Sequence, residues 1–262
     1  MTQYRTALIT GASSGIGESF AEAFAKQGLD LILVARSKDK LDAIAARLSN
    51  SYGGIRVEVI SADLSLPQPG AALEKKVKAL GLSVDVLVNN AGFGLAAAFH
   101  ENDATRQREM IALNVSAVVD LAQTFIPAML ERGSGAVINI ASMAGMQPTP
   151  FMAVYGASKA FVLSFSEGLW AEYRDKGIAV LAVCPGPVET GFFDATGNPA
   201  LRKAIPNGAV LTAEKVVEES LKALKNGKSF VVPGVLLKVT SYLPRLLPRE
   251  LVARAVGKSM KH

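Results

Sequence analysis

Short apolar runs, separated by helical patterns, constrain the fold of this chain more than any other feature of its sequence. The runs are TALIT (6–10), LDLILVAR (29–36), IRVEVISADL (55–64), VDVLVNN (84–90), GAVINIAS (135–142), IAVLAVCPG (178–186) and SFVVPG (229–234). Nearly continuous apolar runs of this length are typical of parallel strands that are covered on both faces. The alternation of strands and helices predicts an α/β fold: a doubly wound parallel sheet with helices on both faces, in a single domain over residues 1–262.

The composition excludes several classes of function. Half of the 262 residues are apolar and the net charge is only +5, with basic residues scattered except near the end, which argues against a nucleic-acid partner. Two histidines and one cysteine cannot form a histidine-rich metal site, so we predict no metal. Cys184 lies in an apolar run, as a buried thiol in a reducing compartment would. The opening MTQYRTALITG has no signal-peptide pattern, and we expect a cytoplasmic protein.

The first strand runs directly into TGASSGIG (10–17), which is followed by a helix. Gly11, Gly15 and Gly17 would allow a tight turn and a close approach of the backbone to a pyrophosphate at the helix N-terminus. Glycines alone are weak evidence, because ordinary loops are also rich in glycine. Their position between a strand and a helix predicts dinucleotide binding.

The end of the second strand indicates which dinucleotide is bound. An acidic residue there would hold the ribose 2′-hydroxyl of NAD, but the sequence reads LVARSKDK, with Arg36 at that point. A guanidinium suits a 2′-phosphate through charge-assisted hydrogen bonds. We therefore expect NADP (NADPH) as the cofactor and keep NAD as the alternative.

The stretch VYGASKA (154–160) places Tyr155 four residues before Lys159, so both side chains lie on one face of a helix. Such pairs are common surface contacts when they stand alone. Ser142, however, closes a predicted parallel strand at its carboxyl end, where ligands bind in such sheets. A lysine charge at ~4 Å could bring the phenol's pKa of about 10 near 7. Tyr155, Lys159 and Ser142 are therefore candidates for acid–base chemistry at the ligand-binding edge of the sheet.

Taken in order, the motifs TGASSGIG, ADL (62–64), NNAG (89–92), Asn114, Ser142, YGASK and PGPVET (185–190) make the chain resemble the short-chain dehydrogenase/reductase family over about residues 5–234. The resemblance implies a Rossmann-type fold with seven parallel strands. It implies an NADP site in which Asp63 and Leu64 border the adenine. The full predicted cofactor set is Gly11, Ser13, Ser14, Gly15, Ile16, Gly17, Arg36, Asp63, Leu64, Asn90, Ala91, Gly92, Tyr155, Lys159, Pro185, Gly186, Val188 and Thr190.

The predicted catalytic set is Asn114, Ser142, Tyr155 and Lys159. Tyr155 would be the general acid/base, and Ser142 would hydrogen-bond the carbonyl oxygen. The resemblance implies that Lys159 also bonds the cofactor's ribose. Asn114 would hold a water that supplies protons, although an asparagine in IALNVSA could instead break or kink a helix.

Carbonyl reduction and its reverse are the predicted reactions, because enoyl reductases and sugar epimerases of related type differ in these spacings. We expect a small apolar carbonyl or alcohol substrate, including acyl-chain ketones. The resemblance implies a lid over residues 191–211, with Phe192 and Phe193 either contacting substrate or filling core gaps. Further pocket candidates are Phe93, Leu95, Met143, Phe151 and Met152. The alternatives are a non-catalytic NADP-binding regulatory protein and an NAD-linked alcohol dehydrogenase.

Residues 235–262 form a basic, amphipathic extension that the prolines Pro244 and Pro248 interrupt. Such a stretch could contact a membrane surface. Packing on its own domain, on a partner subunit or beside the cleft is the favoured alternative. The resemblance implies a homodimer or homotetramer through helices near 103–131 and 152–175.

Overall fold

A parallel sheet of seven strands organises the part of the chain that the computed structural model describes, residues 4–198, 210–242, 244 and 246–260. Its strand order is β3-β2-β1-β4-β5-β6-β7. The strands are β1 (Thr6–Thr10), β2 (Asp30–Ala35), β3 (Val57–Ser61), β4 (Val86–Asn89), β5 (Gly135–Ile140), β6 (Ile178–Val183) and β7 (Phe230–Val231). Each apolar run contains one strand, so the predicted doubly wound α/β fold is confirmed.

Helices connect the strands and cover the sheet. They are α1 (Gly15–Ala25), α2 (Lys38–Ser51), α3 (Pro69–Ala79), α4 (Ala104–Ile111), α5 (Ala117–Arg132), α6 (Ala153–Tyr173), α7 (Phe192–Ala195), α8 (Ala213–Lys225), α9 (Val235–Thr240) and α10 (Arg249–Met260). A π-helical turn, Ala112–Ser116, joins α4 to α5, and a short 3-10 turn, Met143–Gly145, follows β5. The Thr212 hydroxyl caps α8 by accepting a hydrogen bond from the Lys215 amide at 3.3 Å.

Two apolar cores lie on opposite faces of the sheet. Ile9 of β1 packs into the core that includes Phe20 and Phe24 of α1. Its neighbour Leu8 packs into the other core, with Phe125 of α5. Successive side chains of a strand point to opposite faces, so a strand that is apolar throughout must be covered on both sides. Because the sheet is covered on both faces, the strand sequences are apolar almost throughout.

The helical run 104–132 is long and apolar enough, by composition alone, to cross a membrane. In the described structure its α5 part packs against α3 and the sheet, and Leu121, Phe125 and Met129 are buried in the core. The core helix of a globular domain meets the same length and hydropathy criterion. The run is therefore weak evidence for a membrane span.

A row of buried polar side chains crosses from β4 to α6. The Asn89 Nδ2 donates to Asn139 Oδ1 at 2.9 Å, and the Asn139 Nδ2 donates to Ser166 Oγ at 2.9 Å. Ser166 in turn donates to the Val162 carbonyl at 2.6 Å. Because buried polar groups are costly without partners, this row ties α6 to the two central strands. Asn89 thus has a role in the sheet, in accord with leaving it out of the predicted site.

Candidate active site

The glycine turn after β1 leaves no space for side chains. Gly11 and Gly15 have φ values of +64° and +58°, a region that favours glycine. A Cβ at Gly17 would lie 2.3 Å from the Gly11 carbonyl oxygen, and one at Gly15 would lie 2.8 Å from Thr190 Cγ2. The turn leads straight into α1, whose first amides face the predicted pyrophosphate position. Ser13, Ser14 and Ile16 lie in the same turn, so the structure brings these predicted residues together.

Hydrogen bonds hold the end of β4 against this turn. The Asn90 Nδ2 donates to the carbonyls of Thr10 and Gly11, at 2.9 and 3.1 Å. The Thr10 hydroxyl donates to the Val88 carbonyl and accepts hydrogen bonds from the amides of Asn90 and Ala91. Thr10 was missed by the sequence analysis, because a hydroxyl at the end of a strand carries no motif of its own.

The predicted 2′-phosphate end of the site lies where β2 and β3 stop. The side chain of Arg36 is exposed there, and its carbonyl accepts a hydrogen bond from the Ser61 hydroxyl at 3.1 Å. Hydrogen bonds from Ser65 lower the pKa of the Asp63 carboxyl, and the Arg36 charge acts in the same direction. Leu64 is buried in the core beside them. Arg36 and Asp63 are therefore neighbours on one sheet edge, as predicted from two separate strands.

The stretch after β6 returns to the same edge. The Met143 amide donates to the Pro185 carbonyl at 3.0 Å, which joins this stretch to the turn after β5. Val188 is buried and forms a parallel bridge with Leu211. Thr190 lies against Gly15, as described above. Pro185, Gly186, Val188 and Thr190, which the family resemblance places at the nicotinamide end of the cofactor, thus lie between the glycine turn and the predicted catalytic residues.

Tyr155 and Lys159 lie one turn apart on α6, and both side chains are buried, at 7% and 6% exposure. The Lys159 Nζ is 5.9 Å from the centroid of the Tyr155 ring and donates to the Ile140 carbonyl at 2.7 Å. Ser142 hydrogen-bonds with Tyr155, and its Oγ accepts from the Ala144 amide at 3.1 Å. The structure therefore assembles three of the four predicted catalytic residues in one contact group.

Burial controls the ionisation of this pair. It raises the pKa of Tyr155 to about 12, and the hydrogen bond with Ser142 acts in the opposite direction. Burial also lowers the pKa of Lys159 to about 8. The expectation that Lys159 would bring the phenol's pKa near 7 is therefore wrong in this structure, because desolvation of the phenolate outweighs the opposing hydrogen bond with Ser142. At neutral pH the phenol is protonated and can donate its proton.

Asn114, the fourth predicted residue, lies in the π-helical turn and is fully buried. Its Oδ1 accepts from the Phe93 amide at 3.1 Å, and its Nδ2 donates to the Phe93 carbonyl at 2.9 Å and to Ser158 Oγ at 3.1 Å. Ser158 donates to the Tyr155 carbonyl at 2.7 Å. The side chain thus connects the segment after β4 to α6, and the helix irregularity that the sequence suggested is also present. Ser158 was missed, because a small residue between two motif positions gives no separate signal.

Apolar side chains pack around the Tyr155 ring and contribute to its burial. Phe192 of α7 lies 5.3 Å from the Tyr155 ring, centroid to centroid, and packs edge-on against Phe193 at 5.8 Å. A small cavity beside Tyr155 is lined by Leu95, Phe99, Met110, Phe151, Met152 and Val154. Met260, from the last helix, also packs on this cluster. Phe192 therefore contacts the candidate catalytic residue. Of the predicted lid, residues 199–209 lie outside the described residues.

Comparisons with known proteins agree with this geometry. Residues 5–199 match the family model described as short chain dehydrogenase. The chain is 38% identical over 268 residues to a very-long-chain 3-oxoacyl-CoA reductase of Anas platyrhynchos, covering 97% of this chain and 83% of the relative.

Two solved structures of dehydrogenases are also similar to this chain in fold and in sequence. A short-chain dehydrogenase from Sphingobium yanoikuyae in complex with NADPH has a TM-score of 0.82 and 37% identity, with 90% of each chain covered. A bulky-bulky ketone specific alcohol dehydrogenase from Comamonas testosteroni has a TM-score of 0.78 and 33% identity, covering 92% of this chain and 91% of that one. The glycine turn, the Ser142–Tyr155–Lys159 group and these similarities together show that the chain belongs to the short-chain dehydrogenase/reductase family and is an oxidoreductase acting on C=O or CH–OH groups.

Proposed function

We propose that this protein is an NADPH-dependent reductase of apolar ketones, with 3-oxoacyl thioesters as the first substrate class to test. The observation that carries the proposal is Tyr155, a buried phenol that is protonated at neutral pH and lies between Ser142 and an apolar cluster. A protonated phenol favours reduction, since oxidation of an alcohol would require the phenolate. The activities for which the Anas and Comamonas proteins are named support a long or bulky apolar ketone.

The residues fit NADP. The glycine turn admits a backbone-bound pyrophosphate only because Gly11, Gly15 and Gly17 have no Cβ. Arg36 presents an exposed guanidinium at the end of β2, where a 2′-phosphate would lie. The Sphingobium relative was solved with NADPH. When bound, NADPH would supply the hydride for the carbonyl carbon.

The protein's own residues would handle the proton. Ser142 would orient the carbonyl oxygen while Tyr155 donates its proton to that oxygen. The resulting phenolate is costly at a pKa of about 12 and must be reprotonated. Lys159, with a pKa near 8, is charged at neutral pH and releases a proton more readily than an ordinary lysine. Asn114 uses both Nδ2 hydrogens, on Phe93 and Ser158, whereas among the described residues its Oδ1 accepts only from the Phe93 amide, so this oxygen keeps an acceptor position for the predicted water.

Replacing Tyr155 with phenylalanine tests the mechanism. We expect kcat for NADPH oxidation with a 3-oxoacyl thioester to fall by about 10²–10⁴-fold, the usual contribution of a general acid. NADPH binding should stay close to wild type. Tyr173→Phe, at the far end of the same helix, is the matched control and should keep full turnover. Wild-type turnover in Tyr155→Phe would remove the catalytic role. No turnover by the wild type on any ketone, despite NADPH binding, would favour a regulatory NADP-binding protein.

Arg36→Ala tests the cofactor assignment. Loss of the guanidinium should weaken NADPH binding by about tenfold or more, the value of one charge-assisted hydrogen bond, and leave NADH binding unchanged. Lys38→Ala, two residues away and paired with Asp42, is the control. Equal binding of both cofactors by the wild type would contradict the assignment and favour an NAD-linked alcohol dehydrogenase.

We also propose a homodimer or homotetramer in the cytoplasm. An open groove along α4, the π-helical turn and α6 is lined mainly by the apolar residues Ile111, Val115, Ala153, Val154 and Ala157. Phe161 of α6 is 41% exposed near it. Phe161→Glu should lower the molecular mass measured by ultracentrifugation, and an unchanged mass would argue against this face. The sequence has a single cysteine, the buried Cys184, so no internal disulfide can form, which is consistent with a reducing compartment and which fractionation of cells would test.

A further inference from the structure

The C-terminal segment exposes an unusual amount of apolar surface. Of the eleven large hydrophobic residues that are exposed among the described residues, seven fall between 235 and 251. Val235, Leu236, Val239 and Leu246 are 82%, 66%, 63% and 80% exposed. We define the C-terminal apolar surface as the aliphatic residues Val235, Leu236, Val239, Leu246, Leu247 and Leu251. Soluble proteins rarely leave a contiguous set of this kind open to water unless it contacts something.

The same segment carries the entire net charge of the protein. Residues 1–234 contain 22 basic and 22 acidic residues and are neutral, whereas residues 235–262 contain six basic residues and one acidic residue, which gives +5. Lys238, Arg249, Arg254 and Lys258 are exposed, and none of them forms an ion pair with a carboxylate of the described residues. Apolar side chains rimmed by unpaired cations are complementary to an anionic, apolar partner.

The segment is nevertheless anchored at the candidate active site. Leu237, between exposed neighbours, points inward, so that a Cβ at Gly186 would lie 2.6 Å from its Cδ1. Val252 of α10 is buried, and Met260 packs on the cluster around Tyr155. Leu251, Arg254 and Lys258 are exposed and recur at helical spacing on α10. One side of the segment therefore packs on the domain, while the other side exposes leucines and basic side chains to solvent.

We infer that the C-terminal apolar surface docks this protein on an anionic lipid surface, with the candidate active site facing that surface. Sequence alone favoured packing of residues 235–262 on the domain, on a partner subunit or beside the cleft over a membrane contact. Among the described residues, Leu237, Val252 and Met260 pack on the domain. A second copy of the chain is a poorer occupant, because a twofold interface would bring two segments of +5 charge together. The inference does not depend on which ketone is reduced.

Co-sedimentation of the full chain with vesicles tests the inference. We would compare vesicles of phosphatidylcholine with vesicles in which a quarter of the lipid is phosphatidylglycerol. Binding is expected to the anionic vesicles and to be lost near 1 M salt, where the Debye length is about 3 Å. Absence of wild-type binding to anionic vesicles at low salt would overturn the inference.

Two sets of variants separate the apolar and the charged contributions. The apolar set combines Leu236→Ser, Val239→Ser and Leu246→Ser, with Leu66→Ser, an equally exposed leucine elsewhere, as the control. The charge set combines Lys238→Gln, Arg254→Gln and Lys258→Gln. Its control combines the same change at three exposed lysines elsewhere, Lys75→Gln, Lys225→Gln and Lys228→Gln.

The C-terminal sets are expected to lose binding and the controls to keep it. At about fivefold per basic residue, the charge set should lower the partition coefficient by about a hundredfold. Equal losses in the matched controls would show non-specific attraction and overturn the inference. The inference would also be overturned if the apolar set binds vesicles normally but changes the mass of the oligomer in ultracentrifugation, since the surface would then be a subunit interface. Unchanged thermal unfolding confirms that each variant is folded.

Discussion

Helix α6 and the C-terminal segment lie against the same apolar cluster, yet they break the usual distribution of side chains in opposite ways. On α6, the polar Tyr155, Ser158 and Lys159 are buried. In residues 235–251, leucines and valines face solvent. Neither arrangement favours the stability of the free protein, because buried charge and exposed apolar area both cost free energy. In this molecule, side chains whose burial or exposure is unusual for their polarity lie in the two regions that we propose bind other molecules.

Helix α6 and the C-terminal segment should differ most in how the free energy of unfolding changes when a glycine next to α6, or one within α10, gains a methyl group. A Cβ at Gly145 would lie 2.5 Å from the Lys159 carbonyl carbon in the backbone of α6, whereas one at Gly257 of α10 would lie 3.4 Å from Pro150. Gly145→Ala should lower the free energy of unfolding by about 3 kcal/mol through overpacking. Gly257→Ala should raise it by about 0.5–1 kcal/mol, because alanine favours a helix. Urea unfolding measures both, and equal effects would contradict the comparison.

The cost of burying Lys159 can be measured through pH. The lysine's pKa falls from 10.5 to about 8 on folding. Between these values the unfolded chain holds a proton that the folded chain has lost, so the wild type gains stability as pH rises from 8 toward 10.5. The full gain is about 3 kcal/mol. Tyr155 opposes it above pH 10, because its pKa is raised by burial from 10 to about 12 and the unfolded chain ionises first.

Lys159→Met should remove this pH dependence. At pH 7 we expect the free energy of unfolding of the variant to exceed that of the wild type by about 2 kcal/mol. The reason is that burying the lysine charge costs more free energy than the hydrogen bond to the Ile140 carbonyl contributes. Reductase activity should be lost at the same time. Denaturant titrations at pH 7, 8, 9 and 10 would show this, and parallel pH profiles for the two proteins would refute it.

Two adjacent leucines of α9 provide the finest comparison. Leu237 packs against Gly186 and the core cluster that includes Val162 and Val232, while Leu236 is 66% exposed. Leu237→Ala should cost about 1–2 kcal/mol, below the range for a fully buried leucine because the side chain is half-buried. Leu236→Ala should change stability by less than about 0.5 kcal/mol. Melting curves of the two variants would decide, and a larger cost at Leu236 would show that the C-terminal apolar surface is covered in the folded protein.

The strands and the glycine turn could be predicted because their signals are local. TALIT coincides with β1, and the glycine turn TGASSGIG leads directly into α1, as its position after the first strand predicts. The grouping of Ser142, Tyr155 and Lys159 was predictable for a different reason. Tyr155 and Lys159 share a helix face, and parallel strands deliver their carboxyl ends to one edge, although β5 ends at Ile140, two residues before the predicted strand end at Ser142.

Other features depend on contacts that no local pattern encodes. The pKa of Tyr155 was predicted in the wrong direction, because desolvation depends on Phe192, Met152 and Met260, which come from three different segments. Ser158 and Thr10 act through hydrogen bonds to partners brought close only by folding. The exposure of Leu236 beside the half-buried Leu237 depends on where α9 docks, which its amphipathic sequence did not specify.

The row of amides at Asn89 and Asn139 has a consequence for folding accuracy. These residues are direct register partners on β4 and β5, within strands that otherwise consist mainly of interchangeable aliphatic residues. Sliding VLVN past VINI by two positions would still bury valine and isoleucine, but it would separate the two amides in an apolar interior. The pair thus selects one alignment among several of similar hydrophobicity. Asn90 comes one residue after β4 and Ser142 two residues after β5, so the same alignment also fixes how far each of them reaches beyond the sheet.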